Sequence, residues 1–266
     1  MATAEQQRLV EAVEGLLKAE PRVEAAWLAG SLGAGAGDAF SDVDILALAV
    51  DGALDDVSAA VLGNLPTITT PALVNSLFGG RVLNVVTDAW ERFDISLVQA
   101  EDLARYDAVA LTPLFNRSGR TPPTQPDRPY RTAPDQLLKM VNEFLRVLGL
   151  LPVVVGREEY ALALSGVDHL RRMTFDLMLE ENGVAPWKRG GALHRNPLLT
   201  ADQRAQLEAL PPQTAGRDSV IEAHLAFAAL FLPRARRLAS EIGMAWPEGF
   251  ESATRRHLKS KLQSAF

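Results

Sequence analysis

The chain contains no cysteine, which excludes both disulfides and thiolate metal sites. It also lacks any run of the roughly 18 uncharged apolar residues that a membrane-spanning helix needs. The longest apolar stretch, VLGLLPVVVG from Val147 to Gly156, holds ten residues and an internal proline. The opening segment, MATAEQQRLVEAVEGLLKAE, carries acids early and no apolar core followed by small residues. It does not read as a secretion signal, and cytoplasmic residence with no membrane partner is the expectation. Positive charge is scarce too: 27 Lys and Arg stand against 33 Asp and Glu, a net −6. That balance argues against a protein whose main task is to grip nucleic acid.

What remains is an ordinary globular composition, 47% hydrophobic and 23% charged over 266 residues, enough for one large domain or two medium ones. The charge is uneven, with residues 1–133 at net −8 and residues 134–266 at net +2. Leu9, Val10, Val13, Leu16 and Leu17 recur at helical spacing, predicting an amphipathic helix over Glu5 to Lys18. Strands are expected at Val23 to Ala29, Asp42 to Val50, Arg81 to Val86 and Arg92 to Val98, with a helix at Ala53 to Gly63. From Leu114 the character changes. NRSGRTPPTQPDRPYRTAP has five prolines in nineteen residues and reads as a linker. Beyond it only helices are expected, over Asp135 to Leu151, Glu158 to Asn182, Ala201 to Leu210, Ser219 to Ile242 and Glu251 to Leu262. Thr200 and Ser219 are the expected N-caps, with Gly183 and Gly243 the stops. The expected fold is α+β: a mixed-sheet domain over 1–115, a Pro-rich linker over 116–134, and an all-α bundle over 135–266.

The chemistry concentrates in GSLGAGAGDAFSDVD, Gly30 to Asp44. A dinucleotide fingerprint fails there, because the last glycine is missing from either Gly33 or Gly35. A P-loop fails as well, since Ala36 stands where its lysine must be. The pattern that fits is Gly-Ser, ten residues, then Asp-x-Asp: Gly30-Ser31 followed by Asp42-Val43-Asp44. Residues i and i+2 of a strand share a face, so Asp42 and Asp44 point together while Val43 and Ile45 enter the core. Paired carboxylates are costly unless a cation lies between them, and hard Mg²⁺ prefers one or two carboxylates plus phosphate oxygens. The Gly30-Ser31 turn, with the Ser31 hydroxyl, suits the phosphates of a nucleoside triphosphate. Asp94 is the third acid expected, because Phe93, Ile95 and Leu97 form one strand face and Asp94 and Ser96 the other. Three acids on two strands suit a pair of ions about 3.5–4 Å apart, the arrangement for in-line displacement at phosphorus.

GSLGAGAGDAFSDVDI with Asp94 downstream resembles the nucleotidyltransferase superfamily related to DNA polymerase β. It is similar most of all to the small bacterial members that adenylylate aminoglycoside and lincosamide antibiotics. The resemblance implies a catalytic mixed-sheet domain, a helical domain that shapes the substrate pocket, and transfer of AMP from ATP to a hydroxyl of a small molecule with release of pyrophosphate. It assigns Gly30 and Ser31 to phosphate, Asp42 and Asp44 to Mg²⁺, and to Asp94 either a third metal contact or the base. Glu91, Glu158 and Glu159 are the other base candidates. Lys188 and Arg189, in PWKRGGALHRN with Arg195, are expected to meet the triphosphate; the alternative is an exposed basic loop. Trp187 stacks on a ring or merely packs. His169, Arg172 and the tail TRRHLKSKL read as surface features. AMP transfer to a protein or tRNA, and a nucleotide sensor without turnover, are the competing functions.

Overall fold

The computed structural model describes residues 2–126, 129–190 and 195–262. The chain divides into two compact units, Met1–Asp127 and Arg128–Phe266. The first is a mixed sheet with helices and the second is helical, so the architecture is α+β.

In unit 1, helix α1 (Ala4–Ala19) starts at a capping box: Thr3 Oγ1 accepts from the Gln6 backbone N–H, and the Gln6 side chain accepts from the Thr3 N–H. Strand β1 (Val23–Leu28), the one-turn helix α2 (Gly30–Gly33), strand β2 (Val43–Ala49) and helix α3 (Leu54–Asn64) follow. After them come β3 (Pro71–Leu77), β4 (Val82–Thr87), β5 (Arg92–Val98) and β6 (Thr112–Asn116). The sheet order is β3-β4-β5-β2-β1-β6; β2 and β5 run parallel at its centre and every other pairing is antiparallel.

Alternation along the strands feeds two apolar layers. Val43, Ile45, Ala47, Phe93, Ile95 and Leu97 join Leu9, Val13 and Leu17 of α1 and Val57 and Val61 of α3. The opposite face is covered by a smaller cluster, with Trp27, Leu46, Leu48 and Val98 against Leu103. Each fully buried Phe, Ile or Leu contributes about 1.5–3 kcal/mol, so these layers fix strand register firmly.

Unit 2 holds α4 (Pro134–Gly149), α5 (Leu151–Gly156), α6 (Tyr160–Glu181), α7 (Ala201–Glu208), α8 (Arg217–Ile242) and α9 (Glu248–Leu262). Phe144 of α4 stacks on Phe231 of α8 with ring centroids 3.8 Å apart. Thr200 caps α7 through a capping box, and α8 ends at Gly243 in the left-handed conformation, as expected. Ser219 does not cap α8, which begins two residues earlier after Gly216. Its hydroxyl instead accepts from the Thr214 N–H at 2.9 Å, tightening the preceding turn. Strands β3 and β6 and helix α5 were not anticipated, and β6 ends at Asn116, the first residue of the segment expected to be linker. Among the described residues no helix is long and apolar enough to cross a membrane.

Candidate active site

The parallel register of β2 and β5 sets Asp44 directly beside Asp94. Neighbouring strands lie about 4.8 Å apart, so these two carboxylates project side by side. They share the sheet face of Leu46 and Leu48, while Phe93, Ile95 and Leu97 enter the larger core. Asn84 is the antiparallel partner of Asp94, and its side chain hydrogen-bonds the carboxylate. Asp42 lies one residue ahead of β2. The Asp94 pKa is raised above the ordinary carboxylate value: burial is the main cause, and the Asp42 charge adds to it, against the lowering effects of the Asn84 hydrogen bond and Arg92. Two acids of the motif thus sense each other through space, and the third abuts Asp94 through the sheet.

The glycine turn meets the same acids. The Ala29 N–H donates to the Asp44 carbonyl at 2.8 Å as β1 gives way to α2. Gly30 has φ +59°, and a Cβ there would lie 1.9 Å from Asp44 Oδ2. Only glycine permits this backbone conformation together with this approach. The spacing of the motif is therefore a contact: the turn and Asp44 touch. Ser31 Oγ donates to Ser41 Oγ at 2.9 Å, joining the turn to the residue just before Asp42.

A latch holds that stretch in place. The buried Gln6 side chain donates to the Asp38 carbonyl at 2.9 Å and the Ser41 carbonyl at 2.7 Å. From the other side Arg92 Nη2 donates to the Phe40 carbonyl at 3.1 Å. Neither Gln6 nor Asn84 was anticipated as part of the site. Gln6 lies inside the helix expected over Glu5 to Lys18, and nothing in the sequence marks it as the anchor of a loop 32 residues away.

Among the described residues, no three His, Asp or Glu side chains gather closely enough to hold one metal ion. The acids are therefore not a preformed three-carboxylate cage. Their chemistry still fits Mg²⁺, which is held through one or two carboxylates completed by water and substrate phosphate rather than by dedicated all-protein cages. Asp42 and Asp44, with Gly30 against Asp44 and Asp94 beside it, offer that kind of partial shell.

Glu91 pairs with Arg8 and accepts from Thr87 Oγ1. Glu158 and Glu159 are exposed just ahead of α6 in unit 2. Arg189 is committed within unit 2: it donates to Glu180 Oε1 at 2.5 Å and to the Val184 carbonyl at 2.9 Å. Glu180 is buried and also accepts from Tyr130 Oη (2.7 Å), Thr132 Oγ1 (2.6 Å) and Gln136 Nε2 (2.9 Å). Arg189 therefore fastens its loop to α6. Lys188 and Trp187 are exposed, and Trp187 meets Tyr130 edge to face with centroids 5.9 Å apart. Arg195 pairs with Asp176 at 3.1 Å. His169 faces Glu143 at 3.4 Å and Arg172 pairs with Asp168, both contacts on helix surfaces. Residues 191–194 of the basic loop lie outside the described residues.

No protein-family model matches the chain, and no curated protein matches it. Solved structures similar to it include an aminoglycoside 6-adenyltransferase from Bacillus subtilis, 14% identical over 98% of this chain and 100% of that one, with a TM-score of 0.46. A nucleotidyltransferase-like protein from Exiguobacterium sibiricum is 16% identical over 98% and 89% of the two chains, with a TM-score of 0.34. A STING-associated CdnE c-di-GMP synthase from Capnocytophaga granulosa is 14% identical over 85% and 80%, with a TM-score of 0.31. Likenesses this distant carry no argument about the reaction, which has to be drawn from the residues themselves.

Proposed function

We propose that the protein is a nucleotidyltransferase of the DNA polymerase β type that moves a nucleoside monophosphate, AMP from ATP, onto a hydroxyl of a small molecule. The acceptor oxygen attacks the α-phosphorus, the bond from that phosphorus to the bridging oxygen breaks, and pyrophosphate leaves. The observation that supports this most strongly is the contact between Gly30 and Asp44 beside an in-register Asp94. The glycine turn and a carboxylate pair meet at one spot. Asp42 and Asp44 would hold Mg²⁺ with the triphosphate, and the chemistry an ion there would supply is neutralisation of charge on the phosphate oxygens. Gly30 and Ser31 cradle the phosphates. Asp94, held above the ordinary carboxylate range, is suited to take the acceptor's proton, since a base works best with a pKa near the operating pH. Alignment and charge neutralisation supply the catalysis, with no covalent enzyme intermediate. Of the basic loop, Lys188 stays in this reading as a phosphate contact, whereas Arg189 is committed to Glu180.

The test is incubation with labelled ATP, Mg²⁺ and a panel of hydroxylated acceptors, following both product and pyrophosphate. Asp42→Asn and Asp44→Asn should each lower kcat by more than the roughly 100-fold typical of losing an outer-shell metal partner. Full activity in either variant would remove the site assignment. ATP binding with no pyrophosphate release under any condition would favour a sensor, and labelling of copurified protein or tRNA would shift the acceptor to a macromolecule.

A further inference from the structure

The two edges of the sheet are built differently. At one edge β6 has five residues with Pro113 inside the strand, and Arg117 directly after it donates to the Lys18 and Val23 carbonyls. Short length and proline are ways in which natural sheets blunt an edge. At the other edge β3 runs seven residues, its one proline stands at the first position, and no charged residue occurs from Pro71 to Gly80. Among the described residues β3 pairs with β4 alone. In an antiparallel ladder every second residue turns its N–H and C=O away from the partner, so β3 offers a row of backbone groups to a further strand. Leu73, Val74 and Leu77 are exposed along it, and Phe78, at φ +53° just past its end, is 77% exposed. A long, apolar and uncharged edge is a template for another strand.

The residues of the strand select its partner. Laid antiparallel on itself about Asn75, the run Ala72 to Phe78 sets Leu73 against Leu77, Val74 against Ser76, Ala72 against Phe78, and Asn75 against its own copy. Leucine meets leucine, amide meets amide, and the largest side chain of the run meets the smallest. Such directly opposed pairs are the unit of sheet stabilisation. Pro71, which has no N–H to give, falls opposite Gly79, outside the paired run. Every other register parts Leu73 from Leu77, and a slip of one residue also turns one copy's faces over. The run is its own complement, and with no charge in it two copies meet without repulsion along the strand.

We propose that β3 pairs antiparallel with β3 of a second copy about a two-fold axis through Asn75, joining two six-stranded sheets into one. The axis stands perpendicular to the sheet, so both copies turn Asp44 and Asp94 to the same face. The in-register row Asp44, Asp94, Asn84, Asn75 then continues into the second copy. The pairing does not depend on the transfer reaction and is tested without it. Sedimentation equilibrium of the full chain, from low micromolar to millimolar concentration, should show the mass rise from 28.8 kDa to twice that. Residues 1–133 carry net −8, so added salt should tighten the pair by screening. Leu73→Lys or Leu77→Glu alone should weaken it roughly tenfold, because each removes an apolar pair at two symmetric places. The double variant sets opposite charges across from one another at both places and should recover the pairing, which a folding defect would not do. The chain has no cysteine, so Asn75→Cys places a single thiol opposite its own copy. Opposed residues have Cα atoms about 4.5–5.5 Å apart, within disulfide reach, so mild oxidation should link the copies. Ala72→Cys, opposite Phe78, should not link. Circular dichroism checks that each variant folds, and should a charge variant fail to, the cysteine pair still decides. A monomer at every concentration overturns the proposal. So does a dimer that the single charge variants leave intact, or one that Asn75→Cys links no faster than Ala72→Cys.

Discussion

Gly30 shows how much a missing side chain can decide. With Asp44 Oδ2 1.9 Å from where a Cβ would sit, Gly30→Ala must push the carboxylate aside or distort the turn. A misplacement of about 1 Å at a catalytic group costs on the order of 100-fold, so kcat should fall by about that factor while most of the fold's stability remains. Gln6 acts one step further away. Gln6→Ala takes the side-chain donor from the Ser41 carbonyl and leaves the Asp38 carbonyl only the Ser41 N–H at 3.3 Å, and urea unfolding should register a loss of about 1–2 kcal/mol. Activity should fall as well, through Ser31 and Asp42. Asp94 should behave in the opposite way for stability. Its folded pKa is raised, so the contribution it makes to stability is present below the ordinary carboxylate value and is lost as pH rises through the raised one. Asp94→Asn should therefore be as stable as wild type or more so near neutral pH, while losing transfer activity. That pairing separates a functional acid from a structural one. The acids and Gly30 were legible in the sequence because their chemistry needs those residue types at that spacing. Asn84 and Gln6 were not, because an amide reveals its partner only once the chain is folded.

At the scale of elements, the errors share a cause. The two unanticipated strands, β3 and β6, are the two edges of the sheet, and each contains a proline, Pro71 and Pro113. An edge strand need not donate every N–H, nor bury both faces, so neither proline nor a weak apolar pattern forbids it. The central strands were readable because β2 is buried along almost all its length and β5 alternates strictly, with Phe93, Ile95 and Leu97 buried between less buried residues. Helix α5 was hidden by Pro152, which breaks α4 yet suits the first turn of the next helix. Strand β3 carries a liability whenever its edge stands unpaired: Leu73, Val74 and Leu77 are exposed along an edge with no charged residue. Val74→Lys should reduce aggregation on heating, followed by light scattering, without lowering the unfolding midpoint. In unit 2 the corresponding element-level feature is Glu180, which ties residues 130–136 and the Arg189 loop to α6. Arg189→Ala leaves a buried carboxylate without its charge partner and should cost about 3–5 kcal/mol in urea unfolding. A role of Arg189 in phosphate binding alone would instead leave stability untouched and raise KM for ATP.

For the whole molecule, two units with separate cores mean that a single unfolding midpoint is not assured, and a probe confined to one unit is informative. His224 supplies one. It lies buried in the core of unit 2 on α8, its Nδ1–H donates to the Val220 carbonyl at 2.8 Å, and Gly166 of α6 makes room for the ring: a Cβ there would be 3.2 Å from Nε2. Burial lowers the His224 pKa below its ordinary 6.5, and the Val220 hydrogen bond only partly opposes that. The unfolded chain therefore takes up this proton first as pH falls. Stability of the helical unit should be flat above pH 6.5 and decline below it, with a slope from this one group of up to about 1.4 kcal/mol per pH unit. Burial also raises the carboxyl pKa of Asp176 in the same unit, so it is the comparison with a His224 variant that isolates the imidazole. Urea unfolding at pH 7.5, 6.5, 5.5 and 5.0, followed by circular dichroism at a helical wavelength, measures the slope. His224→Asn cannot take up the proton; it should start less stable because it leaves a cavity, and lose less stability between pH 6.5 and 5. A parallel decline in both proteins would mean that the acid sensitivity of the helical unit arises from another group.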